Sequence, residues 1–199
     1  MSELNEATEG TEVRSASVEA AEKEKGKKSV GREIFEWVMV VVVAVAAALV
    51  IRTFIFEPVR VDGNSMQTTL HDKEYMLVTK YQYLFGEPSR FDVVICRYPG
   101  RGSTNFVKRV VGLPGDTVAV AGGLLYINGE PVEEAYINTP MFSDFAETVV
   151  QDGHYFVMGD NRNNSNDSRN PSVGQIAKAY VRGKVRIVAW PFADFRVVQ

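Results

Sequence analysis

The sequence predicts a mainly β protein: one compact antiparallel β-sheet domain preceded by a single N-terminal transmembrane helix. Three observations predict it. One uncharged apolar run, Trp37 to Ile51, lies near the N-terminus. Beyond it, apolar residues recur in short, strand-length runs rich in Val, Ile, Tyr and Phe. Gly, Pro, Asp and Asn separate those runs without long helical patterns, which argues for a sandwich or barrel-like sheet. At 199 residues the chain has room for one substantial domain plus appendages.

The elements follow in order. Residues 1–22 hold six glutamates, one arginine and no aromatic residue, a composition that predicts disorder. Residues 23–32, "KEKGKKSVGR", carry five basic residues against one acid, so residues 1–32 read as a disordered tail with a basic flank. The fifteen residues of "WVMVVVVAVAAALVI", with Ile34, Phe35 and the apolar residues beyond Arg52, extend to about 20 positions, the length a bilayer core requires. This places an anchor over residues 33–54. Four consecutive valines and an apolar circumference leave no polar face for a soluble helix. The Ala-x-Ala of Ala44–Ala46 offers a removable signal peptide as the alternative, but it lies inside the apolar run rather than after it. With the basic flank N-terminal, positive-inside orientation keeps the tail in the cytoplasm and delivers residues 55–199 outside as a single-pass membrane protein.

Within 55–199, "EYMLVTKY", "FDVVICRY", "FVKRVVGL", "TVAV", "LLYI", "HYFVMG" and "KVRIVAWPF" are the strand candidates. Asn128-Gly129 in "LLYINGEPV" predicts a type I′ hairpin, which needs positive φ twice. "GLPGD" predicts a turn, with Pro114 setting φ before Gly115. "GDNRNNSNDSRNPS", Gly159 to Ser172, is too polar for a strand and too long for a tight turn; long ordered loops of this kind are often functional.

Composition restricts the chemistry. A net charge of −3 without a basic stripe over the body argues against nucleic acid as a partner. One cysteine and two distant histidines, His71 and His154, provide no metal-ligand spacing. Cys96 reads as a small buried hydrophobe. Ser65, in "DGNSMQTTL", is a candidate nucleophile on weak local evidence, since most such serines serve turns. It needs a base. Both histidines read as surface residues. A lysine can serve only as the neutral amine, which burial among apolar groups favours. In "NFVKRVVG" the period of two puts Phe106, Lys108 and Val110 on one face, with Val107, Arg109 and Val111 on the other. Lys73, Lys80, Lys178 and Lys184 sit beside charged or polar residues. Alternation alone does not say which face is buried, so an edge-strand charge remains open for Lys108.

Three boxes in order resemble those of bacterial type I signal peptidases of the compact, Gram-positive-like kind: "NSMQTTL", "FVKRVVGLPGD" and "MGDNRNNSNDSR". The resemblance runs from the basic flank nearly to the C-terminus. It implies Ser65 as nucleophile, Lys108 as general base, and Ser165 orienting the lysine amine through a hydrogen bond. It implies an Asp167–Arg169 ion pair bracing the site, Gly159 and Asn164 shaping the loop, and Met66 packing beside the nucleophile to line the substrate groove. Arg109 would be structural. Two positions depart from the usual box. Thr68 stands where proline is usual, so Thr68→Pro should raise activity or stability by up to about 1 kcal/mol, provided φ at 68 lies near −65° and its N–H is free of hydrogen bonds. Gly63 stands where some members carry a hydroxyl that donates to the oxyanion, leaving more of that task to the Ser65 N–H.

The implied function is removal of signal peptides from exported preproteins at the outer face of the membrane, after small, Ala-x-Ala-like residues. The partners are those preproteins and the lipid bilayer, with no metal or organic cofactor. Two alternatives stand beside it: a self-cleaving Ser-Lys protease, and an anchored β-domain that binds exported peptides without cutting them.

Overall fold

The computed structural model describes residues 30–51, 56–100, 102 and 104–198; the acidic tail and basic flank expected over 1–32 fall outside it, except for residues 30–32. The apolar run forms one helix, α1 (Val30–Val50), none of whose residues is buried. It starts three residues before the predicted anchor, and Arg32 Nε reaches Glu36 at 3.1 Å inside its first turns. The predicted end at 54 lies outside the described residues. By length and composition α1 can cross a membrane.

Residues 56–198 form two antiparallel sheets. The strands are β1 (Phe56–Arg60), β2 (Tyr75–Thr79), β3 (Val93–Arg97), β4 (Asn105–Gly112), β5 (Thr117–Ala121), β6 (Leu124–Ile127), β7 (Glu130–Val132), β8 (Phe145–Val149), β9 (His154–Met158), β10 (Ile176–Ala177), β11 (Val181–Trp190) and β12 (Arg196–Val197). The larger sheet runs β1-β2-β11-β3-β4-β9-β10, with β12 also on β11; the smaller runs β7-β6-β5-β8. All seven predicted runs are strands. The Asn128-Gly129 turn has φ of 55° and 79°, the two positive values a type I′ hairpin demands. In "GLPGD", Asp116 N–H donates to Leu113 O, and Gly115 takes the positive φ that follows Pro114.

Three clusters make the core. One packs Val61, Met66 and Leu70 against β2, β3 and β11; another packs Val94, Cys96 and Val110 against β9 and Ile176. The third seals the small sheet against Val111, Phe156 and Met158. Strand β4 therefore has core on both faces, and Lys108 (3% exposed) and Arg109 (1%) are both buried. The two-face reading of β4 holds for direction; an exposed edge charge at 108 does not. Gly112 is required here by close approach, since a Cβ would come within 2.7 Å of Val118 Cγ2 and 2.9 Å of Phe156 Cβ.

Among the described residues, β1 and the first half of β4 leave open edges in the large sheet near one another in the fold. β1 pairs only with β2, and β9 joins β4 only from Arg109 onward, so Asn105–Lys108 pair on one side alone.

Candidate active site

The chain from Val61 to Glu74 is a loop closed at its neck: Val61 N–H donates to Glu74 O and Lys73 N–H returns to Val61 O. Leu70 and Met66 hold it down by burial in the core. Ser65 sits in a turn on this loop, half-buried. Gly63 precedes it with φ +98°, and its N–H donates to Asp72 Oδ1 at 3.0 Å. Across the loop stands β4, whose pairing with β3 fixes Lys108 opposite Val94. Lys108 Nζ donates to Ser65 Oγ at 2.7 Å and to Val107 O at 3.0 Å.

Burial pushes the Lys108 amine down to about 8, against an opposing pull from Asp167 and other anionic groups. Among the described residues, the other four lysines of the β-domain are each ion-paired with a carboxylate: Lys73 with Asp62, Lys80 with Glu57, Lys178 with Glu87, Lys184 with Asp92. Lys108 forms no such pair. His71 donates its N–H to Glu74, and His154 Nδ1 lies 3.0 Å from Asp152 O; neither meets Ser65. Burial likewise pushes the Cys96 thiol up to about 12, consistent with a buried hydrophobe rather than a nucleophile.

The polar loop 159–172 closes the other side. Asp167 is buried and bonds Arg169 at 2.8 and 2.9 Å while accepting the Gly159 N–H at 3.0 Å. Burial raises the Asp167 carboxyl, but Arg169 and the Gly159 N–H outweigh it and hold the group below the usual carboxylate range. A Cβ on Gly159 would sit 2.2 Å from Ser165 Oγ and 2.4 Å from Ser65 O, so only glycine lets these backbones meet. Asn164 lies on the surface, its N–H bonded to Asn161 O. Met66 is buried beside Ser65 and lines the groove with it. The hydrogen bond expected from Ser165 to Lys108 is not formed. The amine is directed at Ser65 Oγ and the Val107 carbonyl, and the buried Ser165 Oγ faces the Asp167 carboxyl instead, helping to hold that group down.

Around Arg109, expected to be structural, several residues the sequence did not single out also converge here. Arg109 meets Asp160 with two bonds of 3.0 and 2.8 Å, donates to Phe91 O, and lies 3.8 Å from the Tyr136 ring centroid. Thr69 Oγ1 donates to Asp160, and Arg196 from β12 clamps Thr69 O and Glu74. Asn161 donates its N–H to Ser65 O and its side-chain amide to Asn64 O, both at 3.0 Å. Replacing Arg109 with Ala should cost about 3–5 kcal/mol, because it strands the Asp160 carboxylate in a fully buried position. Urea midpoints of Arg109→Ala and of an Arg109→Leu/Asp160→Leu double variant check this; the double variant should be the more stable.

The expectation for Thr68 is overturned. Its φ is +103°, far from the −65° a proline requires, and its Oγ1 donates to Tyr136 O at 2.9 Å. Thr69 N–H donates to Met66 O, so Thr68 occupies the third position of a turn that calls for positive φ. Thr68→Pro should therefore lower both melting temperature and activity, by more than the roughly 1 kcal/mol a compatible proline adds.

On two sides of Ser65 the surface differs. One is a small groove of about 130 Å³ between β1 (Val59, Arg60) and the open half of β4 (Asn105, Phe106, Val107), floored by Met66 and Ile95. The other is a wider, polar groove of about 440 Å³ that includes Gln67 and Thr68.

A family model described as "Signal peptidase, peptidase S26" matches residues 34–190. "Signal peptidase I" of Bacillus licheniformis is 43% identical over 185 residues, 88% of this chain and 97% of that protein. "Signal peptidase I S" of Bacillus subtilis (strain 168) is 41% identical over 176 residues, 83% of this chain and 94% of that one. A crystal structure of a signal peptidase I from Enterococcus faecalis V583 matches at 35% identity with a TM-score of 0.45, covering 50% of this chain and 97% of that chain.

Proposed function

Because the chain belongs to the signal peptidase family, peptidase S26, we propose that its β-domain removes signal peptides from exported preproteins with Ser65 as nucleophile and Lys108 as general base. The observation that carries the assignment is the 2.7 Å contact between Ser65 Oγ and a buried lysine amine without a carboxylate partner. A neutral Lys108 accepts the Ser65 proton as Oγ bonds to the scissile carbonyl carbon. It then delivers that proton to the departing amine as the C–N bond breaks, leaving an ester on Ser65. The same amine takes a proton from water as the water oxygen attacks the ester carbon, then returns that proton to Ser65 Oγ as the acyl–oxygen bond breaks and the carboxylic acid leaves. The main-chain N–H of Ser65 is assigned to the oxyanion, since Gly63 brings no hydroxyl. Asp167 and Arg169 are assigned to bracing the site, with Ser165 set against Asp167, Gly159 and Asn164 to shaping the loop, and Met66 to lining the groove.

The small groove supports specificity for small residues before the cut. It holds about 130 Å³, against about 440 Å³ for the groove on the other side of Ser65. The open half-edges of β1 and β4 suit an extended substrate added as a strand, with alternate side chains entering the groove.

The N-terminal apolar helix and the family together indicate membrane anchoring. We assign residues 33–54 to a single span, 1–32 to the cytoplasmic side by the positive-inside rule, and 55–199 to the outer face in contact with substrate and bilayer. The protein in detergent, given a preprotein, should release a fragment with a new N-terminus after a small residue. A folded protein that leaves preproteins intact would overturn the reading, and cleavage confined to its own chain would indicate self-processing instead.

A further inference from the structure

We propose that the polar groove beyond Ser65 binds the segment of substrate on the C-terminal side of the scissile bond, the start of the mature protein. The inference rests on the signal peptidase reading above and adds a second recognition surface to it. The groove begins next to the nucleophile: Gln67 and Thr68 form one wall, and Asn161, bonded to both Asn64 O and Ser65 O, forms its floor beside the reacting serine.

Its far wall is the connector from β7 to β8, with Asn138, Thr139 and the 80% exposed Phe142. That connector is fastened to the site at four places. Glu134 takes two bonds from buried Arg162, at 2.7 and 2.5 Å. Tyr136 stacks on Arg109 and accepts Thr68 Oγ1 at its carbonyl. The Asn163 side chain accepts the Phe142 N–H and donates to Pro140 O, both at 2.9 Å. The small sheet thus supplies a wall held in fixed register with the nucleophile.

The chemistry of the two grooves sorts the two halves of a precursor. The apolar groove, floored by Met66 and Ile95, suits the residues before the cut. In the polar groove the charged groups are already paired, Asp160 with Arg109 and Arg162 with Glu134. What faces a ligand is amide and hydroxyl beside the exposed Phe142 ring: neutral donors and acceptors for the backbone and small polar side chains of a mature N-terminus, with one apolar face to pack against. With about 440 Å³, this groove has room for several residues rather than one side chain.

Two measurements test it. Ser65→Ala protein in detergent is irradiated with a precursor peptide carrying a photoreactive residue at the third position after the scissile bond. Adducts on residues 138–142 or 161–163 support the proposal; adducts elsewhere, or none, overturn it. In parallel, Asn138→Ala/Phe142→Ala and the parent protein are assayed on two peptides identical before the cut, one extended well beyond it and one ending just after it. The loss in kcat/KM on the long peptide should exceed that on the short one by about tenfold, the scale of one lost pocket contact. Equal losses, or no loss, overturn the proposal. A parent protein that cuts neither peptide overturns the peptidase reading instead, and the adduct map then decides the groove by itself.

Discussion

Ser65→Ala is expected to remove preprotein cleavage, by about 10⁶-fold in kcat if Ser65 carries the reaction as hydrolytic serines do elsewhere. The fold should survive. Ser65 lies in a half-buried turn, and the substitution deletes one hydroxyl, which accepts a bond from Lys108 Nζ. That lysine keeps its bond to Val107 O, so the cost should be near the ~1 kcal/mol of a single hydrogen bond. Met66 and Leu70 still anchor the loop, and Val61 and Glu74 still close its neck. Turnover on a preprotein and thermal melting, measured on the same preparation, separate chemistry from folding. A well-folded variant with near-parental turnover would move the nucleophile elsewhere. Ser165 is the next hydroxyl to test, because its oxygen is buried against Gly159 in the same site.

Local signals were the legible ones. The strand runs, the Asn128-Gly129 hairpin and the Pro114-Gly115 turn depend on neighbours in sequence, and each stands where the residues put it. β1 was missed because Pro58 argues against a strand; it is tolerated since β1 is an edge paired on one side. β8 was missed because its pattern is mostly exposed and polar enough to read as loop. Alternation puts Lys108 with apolar neighbours without saying which face is buried; core packs on both faces of β4, so both are.

At the site, the serine, the lysine and the Asp167–Arg169 pair came from boxes whose members are close in sequence. The parts that hold those boxes together are far apart. Glu134 and Arg162 are 28 positions apart, Arg109 and Asp160 are 51 apart, and Thr68 and Tyr136 are 68 apart. No periodicity in one segment encodes a partner in another. Thr68 shows the limit most plainly: a β-branched residue gives no local hint of φ +103°, and its conformation follows from the turn closed by Thr69 and the tether to Tyr136.

Lys108 couples activity to stability, and replacing it with an uncharged apolar side chain should move the two in opposite directions. The amine titrates at about 8 in the folded protein, below its ordinary 10.5, because burial disfavours the ammonium form. The unfolded chain therefore binds this proton more tightly. Below pH 8 both states are protonated and the folded state carries the whole penalty, about 3 kcal/mol for a shift of this size. Between pH 8 and 10.5 the unfolded state alone holds the proton, so stability rises with pH until the penalty is gone.

Lys108→Met removes the buried charge while keeping a long apolar side chain. At pH 7 it should stabilise the fold by about 1–2 kcal/mol, after allowing roughly 1 kcal/mol for each lost bond to Ser65 and Val107. That gain should shrink as pH approaches 10.5, whereas cleavage should be lost at every pH. Lys108→Arg should be equally inactive, since guanidinium does not deprotonate in proteins, and it should lack the stability gain. In the parent the rate should climb about tenfold per pH unit below 8 and level off above it, following the neutral amine. Urea midpoints and initial cleavage rates of the three proteins between pH 6 and 10 decide the matter. Substantial turnover by Lys108→Arg, or a parental rate flat across pH 8, would take the base role away from this lysine.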